Sequence, residues 1–355
     1  MLLLALTGIA VSGSALAPER AAALTGFVTR NGTSLELNGR PYHFDGVNIY
    51  NANSDGDGDP ASCWYALDSG TGLATSLSDM KGGEVIRAWF FQGFAITNGV
   101  WDFSRMDHTL SVAASHNFRV IATLTNQGGT CDGNDGRKTR GWYQGGYKTR
   151  VDPGYLITYR QWVHKIVSHF KTNPTILTWQ LINEAQAISG DGTCNESVAA
   201  TAMRAFTDDV GGLAHSLDPN HLVNLGTTGS GQCGTSGPDY RYVHGSPGTD
   251  LCEYQDYGAP TTAMPGDSFN GLQKRLDQCG SLNKPLFVGE TGISRKEVAG
   301  DLSLRAQYFS AKFNAQFAAG VQGECIWDWD LFTRNGGDGY VVKPGDPALA
   351  LLTMY

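Results

Sequence analysis

Short apolar runs recur along this chain, separated by stretches with a helical pattern. Runs with β character fall near 44–50 (Phe-Asp-Gly-Val-Asn-Ile-Tyr), 84–90 (Glu-Val-Ile-Arg-Ala-Trp-Phe) and 118–124 (Phe-Arg-Val-Ile-Ala-Thr-Leu). Five more follow at 176–183, 222–228, 250–257, 285–290 and 321–329. Each is too short for a core helix and rich in branched or aromatic residues, which predicts a buried strand. Between them Tyr155, Tyr159, Trp162, Ile166 and Phe170 repeat at helical spacing until Asn173-Pro174 ends the run. Leu304, Tyr308, Phe309, Lys312, Phe313 and Phe317 do the same up to Gly320. Eight strands alternating with helices predict a parallel sheet with helices outside it. In about 310 residues they fit a single α/β (β/α)8 TIM barrel, the competing arrangement being an open doubly wound sheet with a switch in strand order. Residues 27–41 read as a short N-terminal β-hairpin closing the barrel bottom, and the βα loops at 51–72, 127–150 and 229–249 are long.

The first 23 residues stand apart. Leu2–Leu6 and Ile9–Val11 form an apolar stretch, and small residues follow at Ala15, Ala17 and Ala21–Ala23. This predicts a secretory signal over 1–23, although its basic flank is missing, and one folded domain over 24–355. An N-terminal helix of the fold is the alternative. No later run reaches the ~18 apolar residues of a membrane span, so a secreted protein that does not engage a membrane is expected. All seven cysteines lie beyond residue 23 without CxxC spacing. In an oxidising compartment they predict structural disulfides, at most three, with Cys325 in a strand-like run left free. A net charge of −8 without a Lys/Arg cluster argues against a nucleic-acid partner. A monomer acting on a neutral substrate is expected.

Barrels of this kind carry their reactive groups at the carboxyl ends of the strands. Reading those ends gives Asn48, Arg87, Trp89, Asn126, Asn183, Glu184, Tyr257, Glu290, Trp327 and Trp329. Glu184, in Trp-Gln-Leu-Ile-Asn-Glu-Ala, and Glu290, in Pro-Leu-Phe-Val-Gly-Glu-Thr-Gly, each end an apolar run. A carboxylate there is costly to bury unless it is paired or has a task. Structural pairing with Arg or Lys is the plain alternative. The amides and Arg87 suit sugar hydroxyls, the indoles suit the apolar faces of pyranose rings, and two carboxylates suffice to cleave a glycosidic bond. Trp64, Trp101 and Trp142 fall in loops, where an indole can also line the mouth. No metal or cofactor is expected. The chain has no HExxH or GxSxG, and Asp55-Gly-Asp57-Gly-Asp59 lacks the sixth-position Gly and twelfth-position Glu of a calcium loop.

Asn183-Glu184 ending the fourth strand and Glu290-Thr-Gly ending the seventh resemble the clan A glycoside hydrolases, specifically family 5. Asn38-Gly-Arg-Pro, Gly46-Val-Asn48, Val85-Ile-Arg87-Ala-Trp89 and Gly323-Glu-Cys-Ile-Trp327 resemble its endo-β-mannanase and cellulase branches. The resemblance covers nearly the whole mature chain. It implies retaining hydrolysis of a β-linked polysaccharide, of β-mannan or β-glucan type. Glu184 would be the acid/base and Glu290 the nucleophile, ~5–5.5 Å apart. Arg87 would keep Glu290 ionised, Asn183 would bond the sugar 2-hydroxyl, Tyr257 would bond the nucleophile, and Trp327 would floor the cleaved sugar. Two positions depart from the family: Ala185 stands where it has Pro, and Gln255-Asp-Tyr257 where it commonly has His-x-Tyr. Two rivals remain, an exo-acting or disaccharide-releasing β-glycosidase and a catalytically impaired carbohydrate-binding barrel, the latter motivated by Gln255.

Overall fold

The computed structural model describes residues 24–54, 72–80, 82, 84–129, 131–132, 136–330 and 339–353. Eight parallel strands form one sheet: Phe44–Asn48, Val85–Trp89, Arg119–Thr123, Ile176–Gln180, Leu222–Asn224, Cys252–Asp256, Leu286–Thr291 and Gly323–Ile326. They are counted here as the first to the eighth barrel strand. Each pairs with its successor, and the eighth returns to the first with Gly323 opposite Phe44. Only the fifth and sixth meet through a single bridge, Asn224 to Leu251, so the barrel is nearly closed. Pairing of first and eighth strands rules out the open doubly wound sheet. Helices Ser104–Ser115, Tyr159–Phe170, Glu196–Leu217, Leu272–Ser281 and Leu302–Ala318 lie between strands or after them.

The helices start where the sequence supplies caps. Thr158 and Gln161 form a reciprocal capping box ahead of Tyr159–Phe170, which leaves Tyr155 outside that helix. Asp301 accepts from the Leu304 amide to open the last helix. On that helix Lys312 is buried as an ion rather than as part of an apolar face: its Nζ lies 2.9 Å from Asp256 at the end of the sixth strand.

The amino-terminal segment holds three antiparallel strands, Val28–Asn31, Ser34–Leu37 and Arg40–Tyr42, where the sequence predicts a simple hairpin. The extra strand comes from Asn38-Gly39. Both residues have positive φ, 53° and 73°, the conformation that turns a chain back in two residues. Val28 and Leu35 then pack on Phe44, Val85, Ile121, Leu177, Leu222, Leu251, Phe287 and Cys325, one apolar layer that seals the barrel bottom as expected. Cys325 is free and buried in that layer. Disulfides join Cys194 to Cys233 and Cys252 to Cys279. Among the described residues no helix is long and apolar enough to cross a membrane. The segment 1–23, Cys63, Trp64 and the acidic run Asp55–Asp59 lie outside the described residues.

Candidate active site

Two residues beyond the apolar layer the barrel interior becomes polar. Val85 is followed by Arg87, Leu222 by Asn224 and Leu251 by Glu253, because alternate strand residues face the same side. Arg87 is the hub and is fully buried. Its Nε donates to Gln180 Oε1 at 2.9 Å, and Nη1 to Asn48 Oδ1 at 2.9 Å and Glu290 Oε1 at 2.7 Å. Its Nη2 donates to Asn183 Oδ1 at 2.6 Å. One guanidinium thus ties together the first, second, fourth and seventh strands.

Glu290 reaches the interior through a bulge. Phe287 faces inward, so strict alternation would turn Gly289 inward and Glu290 out. The pairing with the sixth strand instead jumps from Val288–Tyr254 to Glu290–Gln255, which leaves Gly289 as the extra residue. Glycine there leaves room for the Glu253 side chain, since a Cβ at 289 would stand 2.1 Å from Glu253 Oε1. Re-aimed in this way, the Glu290 carboxylate receives three donors: Arg87, Gln255 Nε2 at 3.1 Å on Oε1, and Tyr257 Oη on Oε2.

Glu184 is presented differently. The fourth strand ends at Gln180, and Asn183 continues it only through an isolated bridge to Asn126. Glu184 itself has φ of 58°, outside the extended region, which turns it off the strand line. Its carbonyl accepts from Gln232 Nε2 at 3.2 Å, and the Ala185 amide donates to Gly226 O at 2.9 Å. The Gln186 amide donates to Gln127 Oε1 and Tyr143 Oη at 3.2 and 3.0 Å. Asn183 Nδ2 donates to Asn126 Oδ1 at 3.1 Å. Behind Asn126, buried Lys138 and Asp132 pair at 2.7 Å, and Lys138 Nζ also bonds the Asn126 carbonyl.

Aromatic rings complete one side. Trp327 stacks on Tyr50 with centroids 5.6 Å apart, Trp89 lies 6.3 Å from Trp327, and the Arg87 guanidinium sits 4.9 Å from the Trp89 ring. The peptide between Trp327 and Asp328 is cis. Trp329 does not join this wall, being sealed in the hydrophobic core. Trp142 is likewise buried, and Trp101 packs against Phe103 and Trp162 rather than over the mouth.

Burial raises the proton affinity of both glutamates. For Glu184 burial dominates, against the positive charges of Arg87 and Arg137. For Glu290 burial again comes first; Arg87 pulls down and the charge of Glu184 pushes up, leaving the carboxyl at about 7. Arg87 therefore moderates the protonation of Glu290 without overcoming its burial. The charge of Glu184 is felt at Glu290, so ionisation of the first makes the second harder to ionise.

The structure thus gathers Asn48, Arg87, Trp89, Asn126, Asn183, Tyr257, Glu290 and Trp327 with Glu184 into one connected constellation at the carboxyl end of the barrel. Sequence reading passed over Gln180, Asn224 and Glu253. The signal was available: each is a polar residue in a strand, and for Asn224 and Glu253 it falls two positions after an apolar inward one. Among the described residues, acidic and sulfur ligands converge only at Cys194, Glu196 and Cys233, and the two cysteines there are joined to each other.

Residues 155–348 match the family model described as GH family 5 beta-mannosidase-like. Mannan endo-1,4-beta-mannosidase 7 of Oryza sativa subsp. japonica is 25% identical, over 89% of this chain and 92% of the relative. Mannan endo-1,4-beta-mannosidase 1 of Arabidopsis thaliana is 27% identical, over 90% and 85%. Among solved structures, the endo-1,4-beta-mannanase from Rhizomucor miehei superposes with a TM-score of 0.68 at 19% identity, over 92% of this chain and 97% of that one.

Proposed function

The chain belongs to glycoside hydrolase family 5, in its β-mannosidase-like division, and on that premise we propose that this glycoside hydrolase cleaves β-linked mannan by retaining double displacement. The observation that carries the mechanism is the asymmetry of the two carboxyls. Burial raises both carboxyls, but Glu290 is held by three donors, as a nucleophile that must carry charge needs to be. The burial of Glu184 is opposed only by the charges of Arg87 and Arg137 and by no hydrogen-bond donor among the described residues, which suits a group that gives and takes a proton. In the first step Glu290 attacks the anomeric carbon as the glycosidic C–O bond breaks, and Glu184 gives its proton to the departing oxygen. The product is a glycosyl ester of Glu290. In the second step Glu184, now a carboxylate, takes a proton from water as that water attacks the same carbon and frees Glu290.

Asn183 is the group for the 2-hydroxyl, oriented by Arg87 and Asn126 through its amide. Trp327, backed by Tyr50, offers a flat apolar face to the sugar ring. Mannan is favoured over β-glucan because the curated relatives reported above are mannan-cleaving by name. The names of the same relatives support endo action on the polymer, and the two disulfides support export to an oxidising compartment, ahead of which residues 1–23 would act as the signal.

Proton NMR of the first product formed from mannan tests this reading. Retained anomeric configuration with a ladder of oligosaccharides is expected. Inversion would remove Glu290 as nucleophile, release of only mono- or disaccharides would make the enzyme exo-acting, and binding without turnover would make the barrel a lectin-like one.

A further inference from the structure

Tyr257 holds Glu290 from beyond the end of the sixth strand. It follows Asp256, the last residue of that strand, and keeps 41% of its surface exposed, so burial alone does not fix its ring. Its hydroxyl nevertheless donates to Glu290 Oε2. The ring rests on Gly292, whose amide donates to the Asp256 carbonyl at 2.9 Å. A Cβ at 292 would stand 2.4 Å from Tyr257 Cε1 and 3.1 Å from Tyr340 Cδ1, so a side chain there would displace the ring. Gly292 has no positive φ, and what glycine supplies at this place is room for Tyr257 rather than a special backbone shape. Tyr340 packs on Tyr257 edge to face, with centroids 5.5 Å apart and the rings at 87°, and among the described residues no other aromatic ring does. Tyr340 is itself held. Fully buried Arg305 of the Leu302–Ala318 helix donates from Nη1 to the Tyr340 carbonyl at 3.2 Å and from Nη2 to the Val341 carbonyl at 3.3 Å, with Asp346 as its counter-ion. The Arg295 amide donates to Gly339 O at 2.9 Å. What the buried charge of Arg305 secures is the backbone that carries the Tyr340 ring.

We propose that Tyr340 is a positioning residue for the nucleophile, which with Gly292 forms a slot that sets the Tyr257 hydroxyl on Glu290. This rests on the reading of Glu290 as nucleophile given above. The bond from Tyr257 lowers the Glu290 carboxyl, alongside Arg87 and against burial and the charge of Glu184. Burial and the negative charge of Glu290 hold the Tyr257 hydroxyl well above the usual tyrosine range, so it stays protonated and remains a donor near neutral pH. If Tyr257 swings away, Glu290 loses a donor to its charged form and binds its proton more tightly. The charged and titratable groups around Glu290 are Arg87 from the second strand, Glu184 after the fourth, Glu253 on the sixth and Tyr257 after it. The first strand brings the neutral Asn48, whose Nδ2 donates to Gly289 O, and the eighth brings Cys325, a thiol that burial keeps protonated.

The test is the pH dependence of kcat and kcat/KM on mannan for the full-length enzyme and its variants. Tyr257→Phe, which removes the hydroxyl, sets the scale: the acid limb of kcat/KM should move toward alkaline pH by ~1 unit, the size of one lost hydrogen bond to a charged group. Tyr340→Leu and Gly292→Ala should move it the same way by about half as much or more, with kcat lowered several-fold and KM within about twofold of wild type. On the Tyr257→Phe background neither should move it further. Tyr340→Phe, which keeps the ring, should leave the limb in its wild-type place. A limb unmoved in Tyr340→Leu overturns the proposal. So does a raised KM at unchanged kcat, which would make Tyr340 a substrate contact, or a shift that persists without the Tyr257 hydroxyl. Should Tyr340→Leu fail to fold, Gly292→Ala decides by the same criteria. Carbon-13 NMR titration of the Glu290 carboxyl, run without substrate, gives the second readout: a midpoint raised in Tyr340→Leu supports the proposal, and an unchanged one refutes it. Loss of the two-glutamate mechanism would appear instead as a wild-type enzyme without turnover or with inversion, and the NMR titration would still decide the role of Tyr340.

Discussion

Glu290 and Glu184 face the same cleft but are built on opposite plans. Glu290 lies within a strand, almost without surface, and its side chain is fixed by Arg87, Gln255 and Tyr257. Glu184 lies on a loop, half-buried, and its carboxyl makes no hydrogen bond among the described residues. What is fixed at Glu184 is the backbone, through Gln232, Gly226, Gln127 and Tyr143. The difference follows from the work each must do. A nucleophile is needed as an anion, so donors converge on its oxygens. An acid/base must hold a proton in one step and release it in the next, and fixed donors would favour one state over the other.

The largest break in this contrast comes from removing each carboxyl in turn. Glu290→Gln should abolish hydrolysis of mannan and of an activated dinitrophenyl glycoside alike, since no other group can form the ester. Glu184→Gln should lose ~10²–10⁴-fold on mannan but far less on the dinitrophenyl substrate, whose leaving group needs no proton. Steady-state rates on the two substrates settle it; equal losses in Glu184→Gln would show that its role is not proton transfer.

Next in size is Arg87→Met, which strips the charge that lowers the Glu290 carboxyl. Burial raises the Glu290 carboxyl and Arg87 pulls it back to about 7, so loss of Arg87 should carry the acid limb of kcat/KM toward alkaline pH. Breaking a buried ion pair should also destabilise the fold by ~3–5 kcal/mol, readable in urea unfolding. An acid limb that stays in place would mean that Glu290 does not set it.

How much of this was legible in the sequence divides along the same line. Strand positions, the barrel and the gathering of Arg87, Asn183 and Glu290 followed from apolar runs whose period and order survive folding. The way Glu290 turns inward did not, because the bulge at Gly289 is a matter of register between the sixth and seventh strands, and the Glu253 side chain beside it comes from the other strand. Burial of Trp329 was equally hidden: two strand-end tryptophans two positions apart look alike until the bridge from Trp329 to Val342 draws one into the core. The support of Glu184 comes from Gln127 and Tyr143 after the third barrel strand and from Gly226 and Gln232 after the fifth, and no local pattern marks them.

That support can be probed at Tyr143, whose hydroxyl accepts from the Gln186 amide and donates to Gln127. Tyr143→Phe removes both bonds at a cost of ~1 kcal/mol each way of counting, and should lower kcat on mannan by roughly tenfold through a displaced Glu184. The acid limb, which belongs to Glu290, should not move. A shift of that limb in Tyr143→Phe would mean that the two glutamates are not supported separately.

The smallest effect is expected at Ala185, where the family has proline. Stiffness is the obvious gain from proline, but this loop is already pinned on both sides of Ala185 by Gln232 and by Gln127 with Tyr143. Proline would also remove the amide that donates to Gly226 O at 2.9 Å. Loss of that bond, about 1 kcal/mol, opposes a gain of about 0.4–1 kcal/mol from a less flexible unfolded chain, so the two nearly cancel. Ala185→Pro should therefore change Tm by no more than ~3 °C and kcat by no more than about twofold. A tenfold rise in kcat would reverse the contrast, showing that Glu184 is loosely held and that its freedom, rather than its missing donors, distinguishes it from Glu290.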